Sequence, residues 1–217
     1  MPVVKVRFAP SPTGNLHVGN LRTAVLNYLY ARNQGGTFIL RIEDTDMERS
    51  EARYETSIMD DLKWLSINWD DGPYRQSERT DLYRDFANTL LEKGLAYKCF
   101  CPKEKLENAR HASLDKGEPP RYDGRCRALS PEELKSFEEE GKPYVVRFRA
   151  PRKAIFFRDG IRGQTEFPPD HVDDFILLKQ ELTPSYNFAA AIDDMTMGIT
   201  HVIRGGDHIS NTPKQIM

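Results

Sequence analysis

Over residues 3–8, β-branched and other apolar residues alternate with polar ones, and this period-two pattern predicts a strand. Residues 9–15, APSPTGN, hold two prolines and a glycine and read as a loop. Between residues 18 and 32, Leu21, Val25, Tyr28 and Leu29 recur at helical spacing, and Gln34-Gly35-Gly36 ends that helix. Residues 37–42, TFILRI, form a second short strand. Strand, glycine-containing loop, helix and strand make a βαβ unit, which implies a parallel sheet. Further helices are expected over about residues 50–65 and 79–93, the second stopping at Gly94.

Near Cys99 the texture changes. Residues 99–184 contain every cysteine, several prolines and a basic run. Residues 144–149 and 155–158 predict short strands, and residues 131–140 a polar helix with Ser130 as its cap. Beyond them, residues 187–192 and 200–204 read as buried strands, and residues 209–217 as the first turns of a helix. The pattern predicts an α/β protein: a parallel-sheet nucleotide-binding fold over residues 1–98 and 185–217, interrupted by an inserted α+β domain over residues 99–184.

The bulk composition is ordinary for a globular protein. Of 217 residues, 39% are hydrophobic and 29% charged, with a mean hydropathy of −0.62. No apolar run approaches the roughly 20 residues of a membrane helix, and the N-terminus lacks the layout of a signal peptide, so a cytoplasmic protein with no membrane partner is expected. Three cysteines, an odd number, argue against a disulfide framework. The net charge of −2 gives no global signal for nucleic acid. Locally, residues 141–165 carry Lys142, Arg147, Arg149, Arg152, Lys153, Arg158 and Arg162 against Asp159 alone. Such a run suits phosphates or is simply a solvated face.

Pro12-Thr13-Gly14-Asn15-Leu16-His17-Val18-Gly19-Asn20 lies where the first strand turns into the first helix. A helix N-terminus offers free N–H groups and a positive dipole end, which suits phosphate. Gly14 and Gly19 permit close approach of a ligand, and His17 can donate to a phosphate oxygen that gains charge. Spacing alone equally allows a surface loop with an incidental histidine. The run His17-Val18-Gly19-Asn20 also resembles the HIGH signature of class I aminoacyl-tRNA synthetases. Its surroundings resemble the glutamyl-tRNA synthetase family: Arg7-Phe8-Ala9-Pro10-Ser11-Pro12-Thr13-Gly14, Arg41-Ile42-Glu43-Asp44-Thr45-Asp46, Tyr74-Arg75-Gln76-Ser77-Glu78-Arg79 and Val202-Ile203-Arg204-Gly205-Gly206-Asp207-His208. The resemblance runs from about Lys5 to the last residue. Where family members carry an acid, this chain has Gly206.

The resemblance implies a Rossmann-like fold with an inserted connective domain, and an enzyme that uses ATP and Mg²⁺ to activate L-glutamate and attach it to tRNA(Glu). It implies that Arg7 holds the side-chain carboxylate with help from Arg204. Glu43 takes the ammonium, Ser11 and the Ala9 backbone fix the chain, and Tyr186 closes the pocket. Thr13, His17, Gly19, Asn20, Asp207 and His208 fall to ATP, with Thr13, His17 and Asn20 nearest the chemistry. From the residues alone, Arg7 reads as well as a strand-end salt bridge. The basic run, with Arg147, Arg149 and Arg152 at its heart, is expected on the acceptor arm of tRNA. The family's lysine-containing KMSKS-type loop and anticodon region are expected after residue 217, in a parent expected to be a monomer. A paralogue that glutamylates queuosine in tRNA(Asp), or a non-catalytic RNA-binding derivative, shares part of the layout; the second would be expected to lose pocket residues.

Cys99-Phe100-Cys101 and Tyr122-Asp123-Gly124-Arg125-Cys126 gather all the thiols in one segment. Soft thiolates suit zinc, which takes four ligands in a structural site. Members of the family implied by the resemblance use cysteine, cysteine, tyrosine and cysteine, so Cys99, Cys101, Tyr122 and Cys126 are the candidate ligands. The alternative family form needs a histidine where this chain has Ala128. Three free buried cysteines are the competing reading.

Overall fold

The computed structural model describes residues 3–117, 120–169 and 171–217. The chain divides into two compact units, residues 1–83 with 186–212, and residues 84–185 with 213–217. The expected segments 1–98 and 99–184 include residues 1, 2, 118, 119 and 170, which lie outside the described residues.

In the first unit, β1 (Lys5–Phe8), α1 (Val18–Asn33) and β2 (Thr37–Ile42) form the expected βαβ unit, with β1 and β2 parallel. After α2 (Ala52–Trp64), β3 (Asp71–Arg75) adds to the other side of β2, also parallel. Its sequence, DGPYR, reads as a turn, and it is tolerated as a strand because an edge position can accept proline. A short 3₁₀ turn, Gln76–Arg79, leads into α3 (Thr80–Glu92).

The two faces of this sheet differ in chemistry. Val6, Phe8, Phe38, Leu40 and Ile42 point one way and pack with Ala24, Ala31, Ile58 and Leu62 into the hydrophobic core. Alternation sends Arg7, Ile39 and Arg41 to the opposite face. There they meet α6 (Tyr186–Thr196), whose Asp193 and Asp194 bond both arginines' face of the sheet. A strand covered on both faces explains why TFILRI is buried almost throughout.

Residues 187–192 therefore belong to a helix, not the expected strand. Their short apolar run fits either element by periodicity; in the fold it is a helix that buries Phe188, Ala189, Ala190 and Ile192. The expected strand at 200–204 is also absent. Thr200 and His201 instead donate their backbone N–H groups to the single carbonyl of Lys5, so no ladder forms. Arg204 thus stands on a loop, and not at a strand end.

In the second unit, β4 (Ala96–Cys99) pairs antiparallel with β5 (Val145–Phe148), which pairs with β8 (Ile176–Leu178). The pairing of β4 with β5 draws the residues before Cys99 into this unit. Between these strands run α4 (Lys103–Asp115), α5 (Pro131–Glu139) and the hairpin of β6 (Ile155–Asp159) and β7 (Gly163–Phe167). Ser130 caps α5 as expected, accepting from the Glu133 N–H while Glu133 accepts from the Ser130 N–H. The chain closes with a 3₁₀ turn at Gly206–Asn211 and α7 (Thr212–Ile216). Among the described residues no helix is long and apolar enough to cross a membrane.

The α1–β2 connection depends on close approach. A Cβ on Gly36 would run into the backbone oxygen of Val4, the acceptor for the Thr37 N–H. At neighbouring Gly35 the space is open. Gly36→Ala is expected to cost about 1–3 kcal/mol of unfolding free energy through forced backbone displacement. Urea denaturation checks this, and an unchanged midpoint would contradict it.

Candidate active site

The loop after β1 is tied down by backbone bonds. Pro10 O accepts from the Glu43 N–H at 2.9 Å and Pro12 O from the Glu51 N–H at 3.0 Å. These bonds bring Ala9 and Ser11 beside Glu43, which continues the β2 face that carries Arg41. Ser11 and Thr13 are exposed.

His17 is the N-cap of α1. Its Nδ1 accepts from the Gly19 N–H at 3.1 Å, and Asn20 Oδ1 accepts from the His17 N–H at 3.3 Å, completing a capping box. A neutral ring that accepts at Nδ1 carries its proton on Nε2, leaving that N–H to donate outward. Glycine at position 19 is what gives the ring its seat, since a Cβ there would lie 2.9 Å from His17 Cε1. At the mouth of α1, His17, Gly19 and Asn20 are thus joined in one capping arrangement.

The same unit holds a chain of charged side chains. Arg7, 5% exposed, donates from Nε to both carboxylate oxygens of Asp194 at 3.0 and 3.2 Å. Arg41, fully buried, donates to Asp194 at 2.7 Å and to Glu43 at 3.0 Å. Asp193 takes bonds from Gln76, Arg79 and the Tyr83 hydroxyl, each at 2.8 Å. Asp44 holds Ser77 through both its backbone N–H and its hydroxyl. The Gln76–Arg79 turn is therefore scaffolding for this cluster. Arg204 donates to Thr212 at 2.8 Å. Its segment is anchored by buried Asn27, whose amide donates to Ile203 O at 2.9 Å. His208 lies against Tyr186, with 3.4 Å between Nδ1 and the hydroxyl, and its Nε2 is 3.5 Å from Asp207.

Burial and charge compete here. Burial raises the pKa of Glu43 above the usual range, against the opposing pull of Arg41 and Arg7. For Asp194 burial pushes upward too, but Arg7 and Arg41 outweigh it and hold the carboxyl low. Burial opposes the charge on Arg41, yet Glu43 and Asp194 prevail and keep it raised. Burial raises Tyr186, reinforced by Glu43 and opposed by Arg204, Arg7 and Arg41. Burial also lowers Arg204. Arg7, Glu43, Tyr186 and Arg204 are electrostatic neighbours in one half-enclosed place.

Arg41, Asp193, Asp194 and Asn27 escaped the reading of the sequence. An arginine inside an otherwise apolar strand, as Arg41 is in TFILRI, was the available signal, because such a residue must be paired.

In the second unit the three thiols meet. Their sulfurs lie within 4.8 Å of one another, and Cys101 and Cys126 are 3.5 Å apart. The Tyr122 hydroxyl is 3.2 Å from Cys99 and 3.5 Å from Cys101, and accepts the Cys126 N–H at 3.1 Å. A tetrahedral ion with bonds of about 2.3 Å to sulfur separates two sulfurs by about 3.8 Å, so this donor set fits a metal. Burial pushes the Cys101 thiol up to about 12. Burial acts likewise on Cys99, but the bond to Tyr122 and the neighbouring Arg147 bring it below the ordinary value.

Arg147 does not stand ready for a phosphate. It is 7% exposed, donates to Asp174 O at 2.8 Å and lies 4.0 Å over the Tyr122 ring. Arg149 donates to Arg127 O at 3.1 Å and faces the Tyr97 ring. Strand β5 is central in its sheet and buried at Val146, Arg147 and Phe148 alike, whereas Arg152, Lys153, Arg158 and Arg162 are exposed.

Residues 3–217 match the family model described as tRNA synthetases class I (E and Q), catalytic domain. The chain belongs to this family. It is 54% identical to the glutamate–tRNA ligases of Bacillus subtilis and Aquifex aeolicus, over 99% and 100% of its own length respectively. It spans 46% of each of these relatives. A glutamate tRNA ligase from Elizabethkingia meningosepticum, solved in complex with its amino acid, superposes with a TM-score of 0.92 at 41% identity, over 98% of this chain and 46% of that one. The ligase from Elizabethkingia anophelis gives the same TM-score at 40% identity, over 99% and 46%. The parallel βαβ sheet of the first unit is accordingly the Rossmann-like fold of class I tRNA synthetases.

The opposite shifts of Asp194 and Glu43 set a pH signature. Asp194 is lower when folded, so its stabilisation is present above the ordinary carboxylate pKa and is lost as pH falls through the folded value. Glu43 is higher when folded, so its contribution is present below the ordinary value and is lost as pH rises through the raised one. Asp194→Asn is expected to flatten the acid limb of stability and, because the Asp194 charge helps to raise Glu43, to move the Glu43 limb to lower pH. Urea titrations across the acidic range check this, and an acid limb as steep as the parent's would contradict it.

Proposed function

We propose that this chain is the ATP- and glutamate-binding part of a glutamate–tRNA ligase, which makes glutamyl-adenylate and then glutamyl-tRNA(Glu). The observation that carries the reading is the charge balance of the cluster. Arg7, Arg41, Arg79 and Arg204 face Glu43, Asp193 and Asp194, leaving one formal positive charge. Glutamate carries one net negative charge. Arginine is suited to its carboxylate because two N–H groups meet two oxygens, whereas an amide would set its NH₂ against a donor. Among the described residues only Nε of Arg7 is engaged in a hydrogen bond, which supports a role for its terminal fork in gripping the side-chain carboxylate. In this reading Glu43 receives the ammonium, Arg204 assists, Ser11 and Ala9 fix the chain, and Tyr186 closes the pocket.

ATP is assigned to the mouth of α1, with Thr13, His17, Gly19 and Asn20 on the phosphates and Asp207 and His208 nearby. A glutamate carboxylate oxygen attacks the α-phosphorus and pyrophosphate departs. The outward Nε2–H of His17 stabilises the charge that develops on phosphate oxygens. Mg²⁺, when bound to the phosphates, supplies further charge neutralisation. Positioning does most of the work, with no covalent intermediate on the protein. The second unit is read as the domain inserted into the nucleotide-binding fold, meeting the tRNA acceptor arm through Arg152, Lys153, Arg158 and Arg162 rather than through Arg147. The metal at Cys99, Cys101, Tyr122 and Cys126 is read as structural zinc, with four protein ligands leaving no open position. It would fix β4 and the turn through Gly124.

Two variants test the pocket. Arg7→Ala is expected to cost about 3–5 kcal/mol in binding a non-hydrolysable glutamyl-adenylate analogue, because a buried carboxylate loses its partner. His17→Ala is expected to weaken adenylate formation while sparing glutamate. Calorimetry reads both, and the reverse pattern would mean the pocket is assigned the wrong way round. For the metal, elemental analysis of protein purified without chelator is expected to give one zinc per chain, with thermal stability lost on chelation. Zinc well below one per chain with unchanged stability would leave these as ordinary thiols.

A further inference from the structure

The two side chains assigned to the ends of glutamate are not independent. Arg7 bonds Asp194, Asp194 bonds Arg41, and Arg41 bonds Glu43, giving an alternating series of cation, anion, cation and anion. Arg41 is remote from solvent, and Asp194 is the most exposed member of the series. The Arg41 side chain is 0% exposed and the Asp194 side chain 17%, so Arg41 touches no ligand. We propose that Asp194 and Arg41 are positioning residues that set the separation between the carboxylate grip of Arg7 and the ammonium grip of Glu43, and so select a ligand carrying both groups at that spacing. The proposal rests on the assignment of Arg7 and Glu43 given above.

The chemistry of each link supports it. Arg7 bonds Asp194 with Nε alone, and both carboxylate oxygens share that one N–H. This directs the guanidinium plane while leaving the terminal nitrogens toward the pocket. Arg41 divides its terminal nitrogens, NH1 to Asp194 and NH2 to Glu43, so only one Glu43 oxygen is engaged. Without the Asp194 charge, Arg41 would have only Glu43 as a hydrogen-bonded counterion. It would then draw on both Glu43 oxygens and compete with an ammonium for them. Arg7 would lose its fixed plane at the same time. Asp193 does not stand in for Asp194, since it lies 3.7 Å from Arg41 Nε and is committed to Gln76, Arg79 and Tyr83. Arg41 Nε has no hydrogen-bond partner, so the side chain's hydrogen bonds are the two links named here, with Asp193 adding only a longer ion pair.

The test compares L-glutamate with glutarate, which keeps the carboxylates and lacks the ammonium. Calorimetry on the protein and its Asp194→Asn variant gives the ratio of the two affinities. The ratio is expected to fall on the order of tenfold in the variant, because a coupled pair of grips becomes two loose ones. A purely structural role would weaken both ligands alike, and an unchanged ratio overturns the proposal. Arg7→Ala and Glu43→Gln are measured alongside. If both bind L-glutamate as the parent does, the assignment of the pocket fails and the proposal with it; if they lose binding while the ratio holds in Asp194→Asn, the proposal alone fails. Should Asp194→Asn not fold, arginine side-chain NMR on the unaltered protein decides. A slowly exchanging Arg7 Nε–H is expected before any glutamate is added, and fast exchange there overturns the idea.

Discussion

A cation buried inside a parallel strand is the constraint around which the first unit is arranged. Arg41 sits in the central strand with no exposure, and its charge has to be met wherever it lies. Glu43, two residues along the same strand face, meets part of it, and Asp194 on α6 meets much of the rest, with Asp193 at 3.7 Å adding to it. The same requirement extends to Asp193, which is fully buried and is held by a glutamine, an arginine and a tyrosine. The sheet face opposite the hydrophobic core is therefore a layer of ion pairs. Such pairs contribute little net stability, because desolvation offsets much of their attraction. Their gain lies in geometry, with charged groups presented at fixed positions next to a ligand site.

The two units solve a similar problem by different means. In the first, carboxylates and guanidiniums neutralise one another across a sheet. In the second, buried thiols and a phenol converge, with the Arg147 guanidinium stacked on the phenol ring. A metal held there would draw the protons off its ligands, and Arg147 would offset the resulting excess of negative charge. Strand β5 lies between β4 and β8 and is buried over Val146, Arg147 and Phe148, so a residue counted with the basic run serves the interior instead.

Local patterns were legible where one element answered to one cause. The β1–α1–β2 unit follows from a change of period, and the Ser130 cap from its side chain and the proline after it. The cysteine cluster follows from its clustering in sequence. Where two elements bury the same kind of residue, the sequence was ambiguous. The run Phe188-Ala189-Ala190 is apolar enough for a strand or a buried helix, and only the partners of Asp193 and Asp194 distinguish them. Strand β3 was hidden because Asp71-Gly72-Pro73 has turn chemistry and its pairing comes from β2. In the proposed pocket, Arg7 and Glu43 were singled out through resemblance. Asp194 and Asn27 were not, since their importance lies in contacts across more than 170 residues of chain.

Helix α6 carries two neighbouring acids that answer to different partners. Asp194 faces Arg7 and Arg41, and Asp193 faces Gln76, Arg79 and Tyr83. Successive residues on a helix are turned by about 100° from one another, so one inserted or deleted residue upstream of the pair would rotate both acids in the same sense, carrying one toward the other's partners and the second away from both sets. Tyr186 opens the same helix and would keep its place at the pocket while both acids were misdirected. The length between Tyr186 and Asp193 is thus a quantity the fold cannot vary, whereas the exposed hairpin of β6 and β7 is open to change in length. Natural or engineered variation in this protein should accumulate in loops of the second unit and leave this stretch of helix uninterrupted.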